Sequence, residues 1–210
     1  LKQSDREVLS NYYGSKLKQY GHDTRSLGWI PGGRKARFTA LTGISDLNGS
    51  RILDVGCGFG DLYGFLRGRG IQVDYTGIDI NPEFIEIAKN AYPEARFIAG
   101  DFDDDLLTEE FDWSFAAGIF TIRISDNDAF IKTTLRKMLS VSRKGLSADF
   151  LMPTYSSNDA YWRVEPGEIL RFCQTLSRRI AVRCDYMADE YCVYLYKNDR
   201  PDERNVYENY

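Results

Sequence analysis

Ile52-Leu53-Asp54-Val55-Gly56-Cys57-Gly58-Phe59-Gly60-Asp61-Leu62 decides how the rest of this chain is read. Branched apolar residues make a short buried strand with an acidic residue inside it. Glycine then recurs at 56, 58 and 60, ahead of an amphipathic helix over 61–70 with Leu62, Phe65 and Leu66 inward. Glycine turns the backbone sharply and removes the β-carbons that would keep a ligand off the main chain. The N–H groups at the start of the helix are expected to face that ligand. Strand, glycine turn and helix together read as a nucleotide-binding corner.

A dinucleotide fingerprint requires its third glycine three residues after the second, and that position here is Asp61. A carboxylate in the first helical turn would repel a pyrophosphate. The corner therefore suits a nucleoside without phosphates, and Asp54 suits one that carries a positive amino or sulfonium group. A glycine-rich turn with no ligand is the bland alternative.

Asp54-Val55-Gly56-Cys57-Gly58-Phe59-Gly60 resembles the first motif of the class I S-adenosylmethionine-dependent methyltransferases, (D/E)-x-G-x-G-x-G. The resemblance runs more weakly from about Trp29 to about Lys197. It implies a Rossmann-like sandwich on a mostly parallel, seven-stranded sheet whose last strand is inserted antiparallel.

Outward from the corner, strands and helices alternate, as in a parallel sheet covered on both faces. Strands are expected at 73–80, 95–102, 111–120, up to about 151, and then as an antiparallel pair at 180–187 and 191–196. Asn81-Pro82 is a strong helix start. Upstream, Ser4-Asp5-Arg6-Glu7 reads as a capping box for a helix carrying Val8, Leu9, Tyr12, Tyr13, Leu17 and Tyr20. A second helix is expected over 34–46, and Ser125 is expected to cap the helix that bears Phe130, Ile131, Leu135 and Met138. The division is a helical cap or lid at 1–48, a methyltransferase core at 49–197 and a polar tail at 198–210.

Composition sets the outer limits. The 210 residues are 43% hydrophobic and 14% aromatic, which fits one globular domain, and no apolar run is long enough to span a membrane. No signal peptide is expected, and the location is read as cytoplasmic. Net charge is -4, without a basic stripe, which argues against nucleic acid as a partner. Cys57, Cys173, Cys184 and Cys192 form no CxxC pair and read as buried thiols, not a zinc or redox site. Asp103-Asp104-Asp105 reads as a solvated turn, and no metal is expected.

In an open α/β sheet, ligands gather at the carboxyl ends of the strands. Asp54, Asp79, Asp101 and Ala117 fall at four such ends. The resemblance implies that Asp79, 25 residues after Asp54, accepts the ribose hydroxyls. It further implies Asp101 at the adenine amino group, Ile80 and Phe102 on the ring faces, and Gly56, Gly58 and Ala117 at the methionine part. Arg37 is expected to pair with the cofactor's carboxylate, a role that plain helix-surface charge rivals.

The acceptor is less legible. Ala117-Gly118-Ile119-Phe120 carries no Asn-Pro-Pro-Tyr tetrad, which disfavours amino methylation of adenine or glutamine, and Cys57 is misplaced for a C5-pyrimidine nucleophile. An aromatic set (Tyr12, Tyr13, Trp29, Phe120, Tyr155, Tyr161, Trp162) is expected to close over a small acceptor. The single histidine, His22, is the candidate general base. Methyl transfer to oxygen or nitrogen of a small molecule is the leading expectation. A macromolecular acceptor (protein, glycan or RNA), a non-catalytic cofactor-binding domain and a nicotinamide oxidoreductase are the alternatives.

Overall fold

A computed structural model describes residues 1–29, 32–104, 106–153 and 159–198 of the chain. Tyr155, Asp105 and the tail beyond Asn198 lie outside the described residues. The elements follow as α1 (Gln3–Tyr20), a 3-10 turn (Thr24–Leu27), α2 (Gly33–Thr42), β1 (Arg51–Val55), α3 (Asp61–Gly68), β2 (Asp74–Asp79) and α4 (Pro82–Ala91). Then come β3 (Arg96–Ala99), β4 (Phe111–Ala116), α5 (Asn127–Val141), β5 (Ser142–Leu151), α6 (Pro166–Cys173), β6 (Arg179–Arg183) and β7 (Glu190–Tyr196).

The seven strands lie in the order β3-β2-β1-β4-β5-β7-β6. β1 pairs in parallel with β2 and β4, and β7 runs antiparallel to both β5 and β6. The last strand in the chain is thus inserted between two earlier ones, as the resemblance implies. Strand order reverses between β1 and β4, so a crevice opens at their carboxyl ends.

Side-chain alternation along the strands sorts the core into two layers. Leu53 and Val55 of β1 face Leu135 and Met138 of α5, together with Leu146 and Ala148 of β5. Ile52 faces the other way, with Tyr75, Phe97 and Trp113, beneath Phe38 and Leu41 of α2, Leu62 and Leu66 of α3, and Ile85 of α4. Leu17, Phe59 and Phe84 form a small separate cluster that seats α1.

Local signals hold at α4, where the Asn81 side chain accepts from the N–H groups of Glu83 and Phe84. They fail at two other helix starts. Ser4 lies inside α1, whose N-cap Lys2 offers no side-chain bond, and Glu7 takes its bond from Gln3 instead. Asp126, not Ser125, caps α5, because Ser125 gives both its N–H and its hydroxyl to Asp5. At α1 a neighbour one turn away takes the capping-box carboxylate, and at α5 a partner 120 residues away takes the cap.

Candidate functional site

The crevice holds a cavity of about 950 Å³ counting its open mouth. Asp54, Gly56, Gly58, Asp79, Ile80, Asp101, Phe102 and Ala117 all line it. Four strand tips far apart in sequence therefore converge, as expected. Trp29 and Tyr13 line it too.

The amides of the glycine turn itself are taken up within the protein. Gly56 and Cys57 both donate to the Ile78 carbonyl, at 2.8 and 3.1 Å, and Gly58 donates to Asp79 Oδ2 at 2.8 Å. These amides are satisfied within the sheet and present no row of donors to a phosphate. Asp61 pairs with Arg34 at 2.6 Å. The turn therefore serves close approach: a Cβ on Gly56 would stand 2.2 Å from Ile119 Cγ2, and one on Gly58 2.9 Å from Leu27 Cδ2. Both glycines have positive φ, 71° and 54°.

Asp54 is 2% exposed. Its Oδ2 accepts the Tyr75 hydroxyl while its Oδ1 has no partner. An orphaned carboxylate oxygen beside a ligand cavity calls for a donor or a cation. Burial, reinforced by the charges of Asp79, Asp61 and Asp149, pushes its pKa up to about 7 despite the Tyr75 bond. Burial likewise raises Asp79 to about 6, against the pull of the Asn81 and Gly58 N–H groups. Each Asp79 oxygen takes one backbone N–H, which leaves a lone pair on each for a diol. Asp101 Oδ1 accepts the Asp103 N–H, and its Oδ2 lies 2.9 Å from Arg6 Nε. An adenosyl group with a positive centre fits these residues: a free carboxylate oxygen, a diol acceptor and a cradle closed to any β-carbon.

Several expected site residues lie elsewhere. Arg37 is buried away from the cavity wall, clamped to Glu190 through Nε and Nη2, with Asp149 Oδ2 3.0 Å from Nε. Glu190 and Asp149 stand on one face of the β5–β7 pair, and Arg37 pins α2 onto it. That Oδ2 lacks an angularly ideal hydrogen bond, yet the 3.0 Å ion pair partners it. Arg37 Nη1 has no hydrogen-bond partner, and Trp29 stacks on the guanidinium at 4.8 Å. Asp149, which the sequence reading missed, also takes the Gly118 N–H at 2.6 Å and so holds the tip of β4. Burial raises it to about 7, with Arg37 opposing and Glu190 adding to the shift.

His22 is exposed, sets its ring against Phe59 at 4.7 Å, and does not line the cavity. Phe120 is a core residue stacked on Phe150 at 5.1 Å. Trp162 packs against the same core beneath Arg123. Tyr12 and Tyr161 turn their hydroxyls toward each other beside the cavity instead of lining it. Cys57, Cys173 and Cys192 are buried, whereas Cys184 is exposed, contrary to expectation. Asp104 pairs with Arg6, and among the described residues no three metal-ligating side chains converge.

Sheet order, cavity position and the buried carboxylates define a Rossmann-like protein that binds a phosphate-free, positively charged nucleoside. Comparison with known proteins narrows this. The family model described as a methyltransferase domain matches residues 52–145. Rv1506c of Mycobacterium tuberculosis, itself only assigned as a methyltransferase, is 33% identical over 155 residues, which are 70% of this chain and 92% of that protein. The ubiquinone biosynthesis O-methyltransferase of Xylella fastidiosa is 37% identical over 90 residues, 39% of this chain and 35% of that enzyme. The chain thus spans about a third of that relative's length. A crystal structure of magnesium protoporphyrin IX methyltransferase from Synechocystis with bound S-adenosylmethionine superposes with a TM-score of 0.68 at 14% identity, covering 94% of this chain and 99% of that one. The chain belongs to the class I S-adenosylmethionine-dependent methyltransferases, and S-adenosylmethionine is its cofactor. Among the described residues, no helix is long and apolar enough to cross a membrane.

Proposed function

We propose that this enzyme methylates oxygen or nitrogen of a small molecule, with Asp79 at the ribose, Asp101 at the adenine amino group, Ile80 and Phe102 beside the ring, and Asp54 facing the positive end. One observation carries the choice of acceptor size. The cavity is roofed by Leu9, Tyr13, Leu27 and Trp29 and walled by Phe38, Ile119 and Phe130, and none of the described residues lining it is Lys, Arg or His, so away from the acidic strand tips it is an apolar recess, not an open basic trough. A small-molecule O-methyltransferase among the relatives supports the same reading.

When bound, S-adenosylmethionine supplies an electrophilic methyl on a sulfonium. The chain's part is to place an acceptor and exclude water, and placement of that kind lowers a barrier by roughly 7–11 kcal/mol. No side chain needs to act as a dedicated base, and His22, outside the chamber, is given no such role. Tyr13 lines the chamber and lies beside Thr121, with its ionisation pushed up by burial, so it serves as a neutral hydroxyl that orients an acceptor. α1 and the Tyr161 segment act as the lid. The test is methyl transfer from isotopically labelled S-adenosylmethionine to the low-mass filtrate and, separately, to the desalted macromolecules of a cell extract. Label in the filtrate is expected. Label confined to the macromolecules would overturn the reading in favour of a protein, glycan or RNA acceptor.

A further inference from the structure

The roof of the cavity belongs to the N-terminal segment and not to the sheet. Leu9 and Tyr13 of α1, with Leu27 and Trp29 behind it, close the side that the strand tips leave open. Leu27 rests on the glycine turn itself, over Gly58.

Polar anchors tie α1 down at its first two turns and along its length. Arg6 Nε lies 2.9 Å from Asp101 Oδ2, just past β3, and Arg6 Nη2 lies 3.2 Å from Asp104. Asp5 accepts the N–H and hydroxyl of Ser125, just before α5, at 2.9 and 2.8 Å. Tyr12 meets Tyr161 further along.

The apolar docking beneath these anchors is slight. Of the 18 residues of α1, three are buried: Asp5, Leu9 and Leu17. Leu17, with half-buried Tyr13, reaches the small cluster of Phe59 and Phe84, Leu9 lines the cavity, and Asp5 is held by Ser125. Positive-φ glycines flank the roof loop, Gly21 at 63° and Gly28 at 76°. An element with few buried apolar contacts opens at a fraction of the global unfolding free energy, and loop-end residues absorb the dihedral change.

We propose that α1 and the loop through Trp29 form a strap that must lift off the cavity before S-adenosylmethionine enters and before its demethylated product leaves. Arg6–Asp101 and Asp5–Ser125 are its latches, and Leu27 is its plug over Gly58. The inference rests on the cavity being the cofactor site. Asp101 has one oxygen on the Asp103 N–H and the other at Arg6, so an adenine amino group must share an oxygen with a neighbour already there. Latch and ligand thereby act on one carboxylate, which couples occupancy of the cavity to the seating of α1.

The experiment joins the strap to the body. Asp5→Cys and Ser125→Cys, in a Cys184→Ser background that leaves the three buried thiols, are oxidised with S-adenosylhomocysteine bound, and its release is followed by Trp29 fluorescence. Release is expected to be at least about tenfold slower oxidised than reduced, since a disulfide removes the opening that release requires. Arg6→Ala and Leu27→Ala, which need no cross-link, are expected to exchange ligand faster, Arg6→Ala by about two- to fivefold, the range a partly exposed ion pair is worth. Equal rates in oxidised and reduced protein, or wild-type exchange in both single variants, would overturn the strap. Failure of the wild-type protein to bind S-adenosylmethionine or S-adenosylhomocysteine is a different outcome: it removes the cofactor reading beneath the proposal.

Discussion

Affinity for S-adenosylmethionine is expected to climb steeply between pH 5.5 and 7.5. Two carboxylates in the cavity have pKa values displaced upward by burial, Asp54 to about 7 and Asp79 to about 6. A protonated Asp54 cannot balance a positive ligand, and a protonated Asp79 is a weaker acceptor for two hydroxyls. If tight binding uses the doubly ionised form, that form is about 1% of the protein at pH 5.5 and about three-quarters at pH 7.5. The dissociation constant should therefore fall by about a hundredfold, or about 2.7 kcal/mol. In Asp54→Asn only Asp79 remains to titrate, and the span should shrink to about fourfold. Stability of the ligand-free protein should move the opposite way. Both folded pKa values lie above the ordinary 3.8, so the stability contributed by these groups is fully present below about pH 4 and is lost as pH rises through 6 and 7. Calorimetric titration of the ligand, beside thermal unfolding of the free protein, separates the two effects, because acid unfolding cannot produce opposed slopes. A dissociation constant that changes less than about threefold over this window, or an Asp54→Asn variant that keeps the wild-type slope, would refute the assignment of these carboxylates.

Two further outcomes follow from the packing. Gly56→Ala places a β-carbon 2.2 Å from Ile119 Cγ2 at φ 71°, so urea unfolding should show a loss of about 1–3 kcal/mol and ligand titration a markedly weaker site. Adding Ile119→Ala should relieve the clash and leave the dihedral cost, which a double-mutant cycle measures. Arg37→Met strands Asp149 and Glu190 together under α2, and should cost about 3–5 kcal/mol at pH 8. Because removing the guanidinium raises the folded pKa of Asp149 further, part of the loss should return at pH 6, seen as a smaller stability gap from wild type.

The corner was readable in advance because its features are local. Glycines at 56, 58 and 60, a carboxylate at 54 and apolar neighbours shape the backbone over a dozen residues, whatever packs around them. Spacing along alternating strands and helices then carries Asp79, Asp101 and Ala117 to the same edge, since parallel strands with right-handed crossovers all end there. The position of the inserted β7 came from the resemblance; periodicity shows that a strand exists, not which neighbours it takes.

What the chain order conceals is pairing between residues that are far apart. Asp5 is ordinary first-turn acid until α5 arrives 120 residues later, and Ser125 then leaves its capping role for it. Arg37 looks like surface charge, yet it is buried between Asp149 and Glu190, because α2 lies across the face that the last strand completes. His22 and Phe120 show the converse: one turned outward and one inward, a choice that depends on the neighbouring layer and not on residue type. Local backbone geometry and strand–helix alternation are written in short windows of sequence, so they settle the class of fold and the cofactor's edge. Partner choice among buried charges, and the seating of α1 across the cavity, depend on desolvation and on distances that exist only once the sheet has formed.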